Sequence, residues 1–256
     1  EKSICAVVVT FNRKALLLNC LNALKTQTHP LTHIVVIDNA STDGTADFLG
    51  EHGLTNNDVF TLITLPENMG GAGGFHEGIK YAFEQGFDYI WLMDDDGMPA
   101  NDCLASLFPF ATENNYLGPL VLDIKHPNKF CFPMRLPSTL KRLDTLADLK
   151  GLEIKEKIDG IVIPFNGILL SSKVVEKVGF PLKEYFIWGD DGEYSTRILQ
   201  RYEGYLCAKS KVYHYMNANV GVDIWNVEEN RINRFYYFYR NWMCTHLMRS
   251  KQDAKI

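Results

Sequence analysis

Three adjacent carboxylates, Asp94, Asp95 and Asp96, follow the apolar run Tyr89 to Met93. Buried together without a cation, they would repel one another at high cost. In an extended chain Asp94 and Asp96 project to the same side. Two oxygens can then converge on one Mg2+ or Mn2+, cations that take oxygen ligands. A solvated acidic turn is the alternative for the same residues. A second acidic group, Asp190, Asp191 and Glu193, follows the apolar stretch Tyr185 to Trp188 and precedes a helical pattern. A carboxylate in a partly apolar cleft can take a proton from a hydroxyl. The same group could instead cap the helix or favour the positive end of its dipole. His214 lies on an apparent strand, Lys211 to Tyr215. Alone it reads as a packed or surface histidine; beside a cation held by Asp94 and Asp96 it could supply a nitrogen ligand.

Asn68-Met-Gly70-Gly71-Ala72-Gly73-Gly74 precedes a helical pattern. Glycines let a backbone approach a ligand, and a helix start favours a diphosphate. The run is not the dinucleotide fingerprint: it follows the third strand, and His76 stands where the last glycine of GxGxxG would fall. A generic glycine turn is the alternative. Asp38 ends an apolar strand, where a carboxylate can accept a hydrogen bond from a nucleobase or ribose, or simply cap the next helix.

These residues need a frame. Ile4 to Thr10, His33 to Asp38, Val59 to Leu65 and Tyr89 to Met93 read as buried strands. Helical patterns alternate with them: Ala15 to Thr26, a helix capped by Ser41, Thr42 and Asp43, and Phe75 to Gln85 stopped by Gly86. Strands alternating with helices predict a parallel α/β sheet, with ligands at the carboxyl ends of its strands. Further on, the pattern predicts a helix near Asn101 to Glu113 and a strand Leu117 to Leu122. An insertion over Lys125 to Leu152 has no clean periodicity, and order returns at Gly160 to Pro164. Helices Ser171 to Val178 and Glu193 to Arg201 come next, with short strands Tyr205 to Ala208 and Val212 to Tyr215, then one long helix Glu228 to Arg249.

The 256 residues, 46% hydrophobic and 22% charged, suit one large soluble domain with a C-terminal appendage. A net charge of -5 argues against electrostatic binding of nucleic acid. The six scattered cysteines form no CxxC pair and read as reduced thiols of a cytosolic protein. No apolar run reaches 18 residues, so no spanning segment is expected. A start at Glu1 rather than Met suggests a piece cut from a longer chain, with any anchor lying outside it.

Taken in order, Val8-Val-Thr10-Phe-Asn12-Arg13, Asp38 to Asp43, Asn68 to Gly74, Asp94 to Asp96 and Trp188-Gly-Asp190-Asp191 resemble the inverting family 2 glycosyltransferases. Five motifs in order, spanning the chain to about His214, make the resemblance specific. Asn68 to Gly74 followed by Phe75, the triple Asp, and Asp190-Asp191-Gly-Glu193-Tyr194 look most like bacterial galactofuranosyltransferases, with rhamnosyltransferases as close relatives. Tyr236-Tyr-Phe-Tyr-Arg240-Asn241 resembles an aromatic Arg-Asn segment of both groups.

The resemblance implies a GT-A fold, with a mostly parallel central sheet flanked by helices. It divides the chain into a catalytic domain 1–220 (nucleotide half to about 98, acceptor half 99–220) and a helical segment 221–256. It implies Mn2+ or Mg2+ on Asp94, Asp96 and His214, with Asp191, beside Asp190, as the catalytic base. Nucleotide contacts are implied from Thr10, Asn12, Arg13, Asp38, Asn68, Gly71, Gly73 and Asp95. The implied donor is UDP-galactofuranose or dTDP-rhamnose, and the acceptor a lipid-linked glycan at the cytoplasmic face of a bacterial inner membrane. One departure bears on the sugar: Gly189 stands where the mycobacterial enzymes carry an aromatic residue, and Trp188 is displaced by one. Two rivals are weighed. A sugar-nucleotide pyrophosphorylase should show a glycine- and arginine-rich loop near its first strand, which Val8 to Arg13 lacks. A non-catalytic sugar- or lipid-binding module would bind donor without a divalent metal.

Overall fold

The computed structural model describes residues 2–135, 142–151, 157–159, 164–215, 225 and 229–253. The first half alternates as expected: β1 (Ile4–Thr10), α1 (Lys14–Lys25), β2 (His33–Asp38), α2 (Thr45–Glu51), β3 (Phe60–Thr64), α3 (Gly70–Glu84) and β4 (Tyr89–Asp94). The second half contains β5 (Gly97–Pro99), α4 (Cys103–Leu107), β6 (Asn115–Asp123), β7 (Lys129–Arg135), β8 (Arg142–Thr145), β9 (Lys157–Asp159) and β10 (Leu169–Ser171). It ends with α5 (Ser172–Val178), α6 (Asp190–Leu199), β11 (Glu203–His214) and α7 (Arg234–Asp253).

One sheet runs in the order β3-β2-β1-β4-β10-β6-β11-β5. The longest pairings, β2 on β3, β1 on β2 and β4, and β6 on β11, are parallel. The short β10 lies antiparallel between β4 and β6, and β5 runs antiparallel to β11. Every residue of β1 is buried, as a strand covered on both faces requires. Ile4, Ala6 and Val8 face a core with Leu17, Leu21 and Leu24 of α1 and Leu104 and Leu107 of α4. Cys5, Val7 and Val9 face the opposite core with Phe75 and Ile79 of α3, Val174 of α5 and Ile198 of α6. A smaller core joins Leu120, Leu122, Phe130, Leu143, Ile158 and Leu206.

Several local expectations are corrected. Helix α2 starts after Gly44, in a left-handed conformation and without a side-chain cap, rather than on Ser41 to Asp43. Those three residues brace the loop instead: Ser41 Oγ accepts from Asn12 N, and Asp43 from Lys14 N. Helix α3 begins at Gly70, so the glycines form its first turns instead of a loop before it. The helix expected to Glu113 is α4 plus a 3-10 turn, Phe108–Phe110, ended where Ala111 turns extended. The unclear region after Lys125 holds the β7–β8 pair. The two short strands after Tyr205 are one strand, β11, with a register shift between Cys207 and Lys211. The C-terminal helix starts at Arg234, six residues later than expected, after a 3-10 turn Glu229–Arg231. In the segment Gly160 to Pro164, residues 160–163 lie outside the described residues. Among the described residues no helix is long and apolar enough to cross a membrane.

Candidate active site

Strand register assembles the site. Thr10 pairs with Asp38, and Val9 with Asp94, so the ends of β1, β2 and β4 lie side by side at the carboxyl edge of the sheet. His214 comes from the other half of the chain. It pairs with Gly97 across β11 and β5, while Tyr215 N donates to Asp96 O at 3.1 Å. Asp94, Asp96 and His214 therefore each offer one ligand atom within 4.8 Å of the other two, and Asp96 and His214 are buried.

The Arg13 guanidinium supplies a cation here. Its Nη1 bonds Asp96 Oδ2, and its Nη2 lies 3.2 Å from Asp95 Oδ1. Thr10 Oγ1 donates to Asp95 Oδ2 at 2.7 Å. Burial, then the charges of Asp96 and Asp95, hold the Asp94 carboxyl well above the usual carboxylate range, against the pull of Arg13. Burial pushes Asp95 up to about 6, opposed by Arg13 and Thr10. Burial acts the same way on Asp96, but His214 and Arg13 outweigh it and hold Asp96 low. Asp96 Oδ1, 3.0 Å from His214 Nε2, has no hydrogen-bond partner, and His214 Nδ1 is also unpartnered. Orphaned buried acceptors beside three carboxylates and one arginine suit a hard divalent cation held by two oxygens and one nitrogen.

The second acidic group sits at the first turn of α6. Gly189, left-handed, is the N-cap, so neither Asp190 nor Asp191 caps the helix through its side chain. Asp191 Oδ1 accepts from its neighbour Gly192 N at 2.7 Å. Burial, then the charge of Asp191, pushes Asp190 up to about 7. Burial also raises Asp191. The charge of Asp190 adds the smallest part of the upward push on Asp94. Glu193 is buried and engaged by Arg197 through both oxygens, at 2.8 and 2.9 Å.

The remaining sequence-predicted residues surround these strand ends. Asn12 (φ 54°) accepts at Oδ1 from Thr42 N at 2.7 Å, which ties the loops after β1 and β2 together. Asp38 is buried and accepts from Ser41 N at 3.0 Å. Asn68 Oδ1 accepts from Gly70 N at 2.8 Å. A Cβ at Gly71 would meet nothing within 4 Å, so its backbone stands open, whereas one at Gly73 would lie 2.4 Å from Met69 Cβ. Gly74 packs as closely: its Cβ would lie 2.4 Å from Val9 Cγ1 and 2.9 Å from Asn39 Nδ2.

Residues without an assigned role complete the picture. Asn39, buried, donates to Gly70 O and accepts from Met69 N, which pins α3 to the end of β2. Asn166 is fully buried beside Gly97 with both amide atoms unpartnered. Asn241 was visible only as part of an aromatic segment, because nothing in sequence spacing shows which loop a distant helix will touch.

The sequence model of glycosyl transferase family 2 matches residues 5–166. The chain belongs to that family. Galactofuranosyltransferase GlfT1 of Mycobacterium tuberculosis is 33% identical over 204 residues, covering 78% of this chain and 65% of its own length. The dTDP-rhamnosyl transferase RfbF of Shigella flexneri is 28% identical over 202 residues, covering 78% and 64%. The chain thus spans just under two-thirds of the length of these relatives. The crystal structure of GalNAc-T7 with UDP, GalNAc and Mn2+ superposes with a TM-score of 0.69 at 18% identity, over 84% of this chain and 44% of that one. At that identity the likeness carries the fold, which is GT-A. This member of glycosyl transferase family 2 therefore has a mixed α/β sheet of the GT-A type.

Proposed function

We propose that this glycosyltransferase moves galactofuranose from UDP-galactofuranose, with inversion, to a hydroxyl of a growing bacterial surface glycan. The observation that carries the reading is the cluster of Asp94, Asp96 and His214 on the sheet edge, with ligand atoms within 4.8 Å of one another, and a second acidic pair, Asp190 and Asp191, at the start of α6 supports it. The first group suits a divalent cation beside a diphosphate; the second suits a hydroxyl. The choice of sugar rests on the similarity to the mycobacterial galactofuranosyltransferase. The lower similarity to RfbF keeps dTDP-rhamnose as the second donor to be tested.

In this reading residues to about 98 hold the nucleotide. Asp38 and Asn12 line the nucleoside side, and Arg13 and the open Gly71 backbone face the diphosphate, with Asn68 and Gly73 shaping that turn. Thr10 and Asp95 hold Arg13 in place. Mn2+ or Mg2+, held by Asp94, Asp96 and His214, would supply Lewis-acid neutralisation of the departing diphosphate. Asp191 takes the acceptor hydroxyl proton as that oxygen bonds to the anomeric carbon. The carbon–oxygen bond to the diphosphate breaks in the same displacement, on the opposite face. A diphosphate leaves as a stabilised anion, so no second carboxylic acid has to protonate it. Arg197 removes Glu193 from the candidate bases.

Residues 99–220 form the acceptor half and 221–256 the helical segment. The acceptor is a lipid-linked intermediate at the cytoplasmic face of the inner membrane. Helix α7 supports a peripheral contact there: Tyr236, Tyr239, Trp242, Met243 and Leu247 are all exposed, and aromatic rings of this kind favour the headgroup layer. The test of the whole reading is a donor screen with Mn2+, comparing UDP-galactofuranose, UDP-galactopyranose, UDP-glucose and dTDP-rhamnose by donor hydrolysis and transfer. Preferential turnover of UDP-galactofuranose is expected. Turnover of dTDP-rhamnose alone would replace the sugar, and consumption of a nucleoside triphosphate with pyrophosphate release would replace the reaction.

A further inference from the structure

The strap between α5 and the acidic pair, residues 183–189, holds two non-glycine residues in left-handed backbone, Phe186 (φ 61°) and Trp188 (φ 64°). Bulky residues avoid that conformation unless neighbours impose it. One side chain gathers the strap from outside. Asn241 of α7 is 1% exposed, and its Nδ2 donates to Tyr185 O at 2.8 Å, Trp188 O at 2.8 Å and Ile187 O at 3.2 Å. Two amide protons serve the two short bonds, and the third carbonyl shares one of them. Arg240 fixes which way the amide points: its Nε and Nη2 donate to Asn241 Oδ1 at 3.0 and 2.8 Å, so that atom has to be the oxygen. Arg240 also bonds Glu184 O, and Phe186 stacks on Tyr237 with ring centroids 4.8 Å apart.

The inner side of the strap touches the donor half. Phe186 O accepts from Ala72 N at 3.1 Å, in the first turn of α3. Gly70 has φ 70°, and a Cβ there would fall 2.0 Å from Phe186 O. The strap ends at Gly189, whose Cβ position lies 3.5 Å from Asn241 Cβ, and Asp190 and Asp191 follow directly. The fixed carbonyls therefore lie between the open backbone at Gly71 and the acid pair.

Resting on the reading above, we infer that Asn241 is a positioning residue for transfer. Its carboxamide sets the strap, and the strap sets both the first turn of α3 and the place of Asp190 and Asp191. The site is thus built from three distant parts of the chain, and α7 belongs to it although no α7 side chain is assigned to the reaction.

The test compares Asn241→Asp, which keeps the shape but loses the donors, with Thr245→Val. The second variant removes the bond from Thr245 to Tyr185 OH (2.9 Å) and leaves the strap carbonyls bonded. Hydrogen exchange of peptides covering residues 70–75 and 184–192 is the first readout, and needs no substrate. Both peptides are expected to exchange faster in Asn241→Asp and to stay near wild type in Thr245→Val. Unchanged exchange at 70–75, or an equal rise in Thr245→Val, overturns the inference. The second readout is turnover: kcat should fall about 10- to 100-fold as the base is misplaced, with donor KM changing less. Wild-type kcat in Asn241→Asp also overturns it. Should that variant not fold, Asn241→Gln keeps a carboxamide but displaces it by one methylene, and is expected to shift both peptides in the same direction. If wild type turns over none of the donors, the proposed function fails while the exchange result still decides the coupling.

Discussion

His214 Nε2 lies 3.0 Å from Asp96 Oδ1, although 118 residues separate the two in sequence, because β11 pairs with β5 just past the triple aspartate. The pairing makes a clear expectation for the metal. Asp94→Ala, Asp96→Ala and His214→Ala should each abolish the gain in UDP affinity that Mn2+ brings, measured by calorimetry with and without the ion. Retention of that gain in the aspartate variants would move the cation elsewhere.

Asp191→Asn is close to isosteric and loses only the capacity to accept a proton. Turnover should drop by roughly 10²-fold or more, with donor affinity little changed. Because Arg197 holds Glu193, near-wild-type turnover would assign the role to Asp190.

The acid pair also sets a pH dependence. Burial, then the charge of Asp191, raises Asp190 to about 7, with Glu193 adding to it, and burial raises Asp191. The base acts in its deprotonated form, so kcat should rise with pH along an acid limb above the usual carboxylate range. Asp190→Asn removes a neighbouring negative charge, which makes deprotonation of Asp191 easier and should move the limb to lower pH. A kcat–pH profile whose limb stays in place would separate the two carboxyls.

Gly74→Ala adds a methyl 2.4 Å from Val9 Cγ1 and 2.9 Å from Asn39 Nδ2. Overpacking of this kind costs about 1–3 kcal/mol, so the urea midpoint should fall without a change in slope. Gly71→Ala, at an open position, should leave stability near wild type.

How much of this was legible in the sequence depends on the range of the contacts. The strands around β1 announce themselves through β-branched runs, and their parallel register brings Thr10 beside Asp38 and Val9 beside Asp94. The glycines were visible, but not their division of labour. Gly74 and a neighbour, Gly78, let α3 approach β1, since their Cβ atoms would strike Val9 and Val7, while Gly70 yields to Phe186 O. Those roles depend on partners far off in the chain. The start of α2 was misplaced because Ser41 and Asp43 have the side chains of caps but spend them on Asn12 and Lys14. The Asn241 clamp was hidden for the same reason: three carbonyls carry no sequence signature.

Helix α7 carries the last expectation. An aromatic stripe on such a helix can pack on the domain. In the structure the packed face is Phe235, Asn241 and Thr245, while Tyr236, Tyr239, Trp242, Met243 and Leu247 remain exposed. Arg240 faces inward to Asn241 and Glu184, so it is not a free cation for lipid. The apolar rings should therefore contribute more to membrane contact than the charge does. A variant with Tyr239, Trp242 and Leu247 changed to Ser should sediment less with liposomes containing anionic lipid than wild type. Arg231→Gln should weaken sedimentation less, and mainly at low salt, where surface charge is unscreened. Tyr239, Trp242 and Leu247 are all exposed, so thermal melting of the triple variant should stay near wild type. Equal sedimentation of wild type and the triple variant would remove α7 from the membrane contact, leaving its clamp on the strap as its part in the fold.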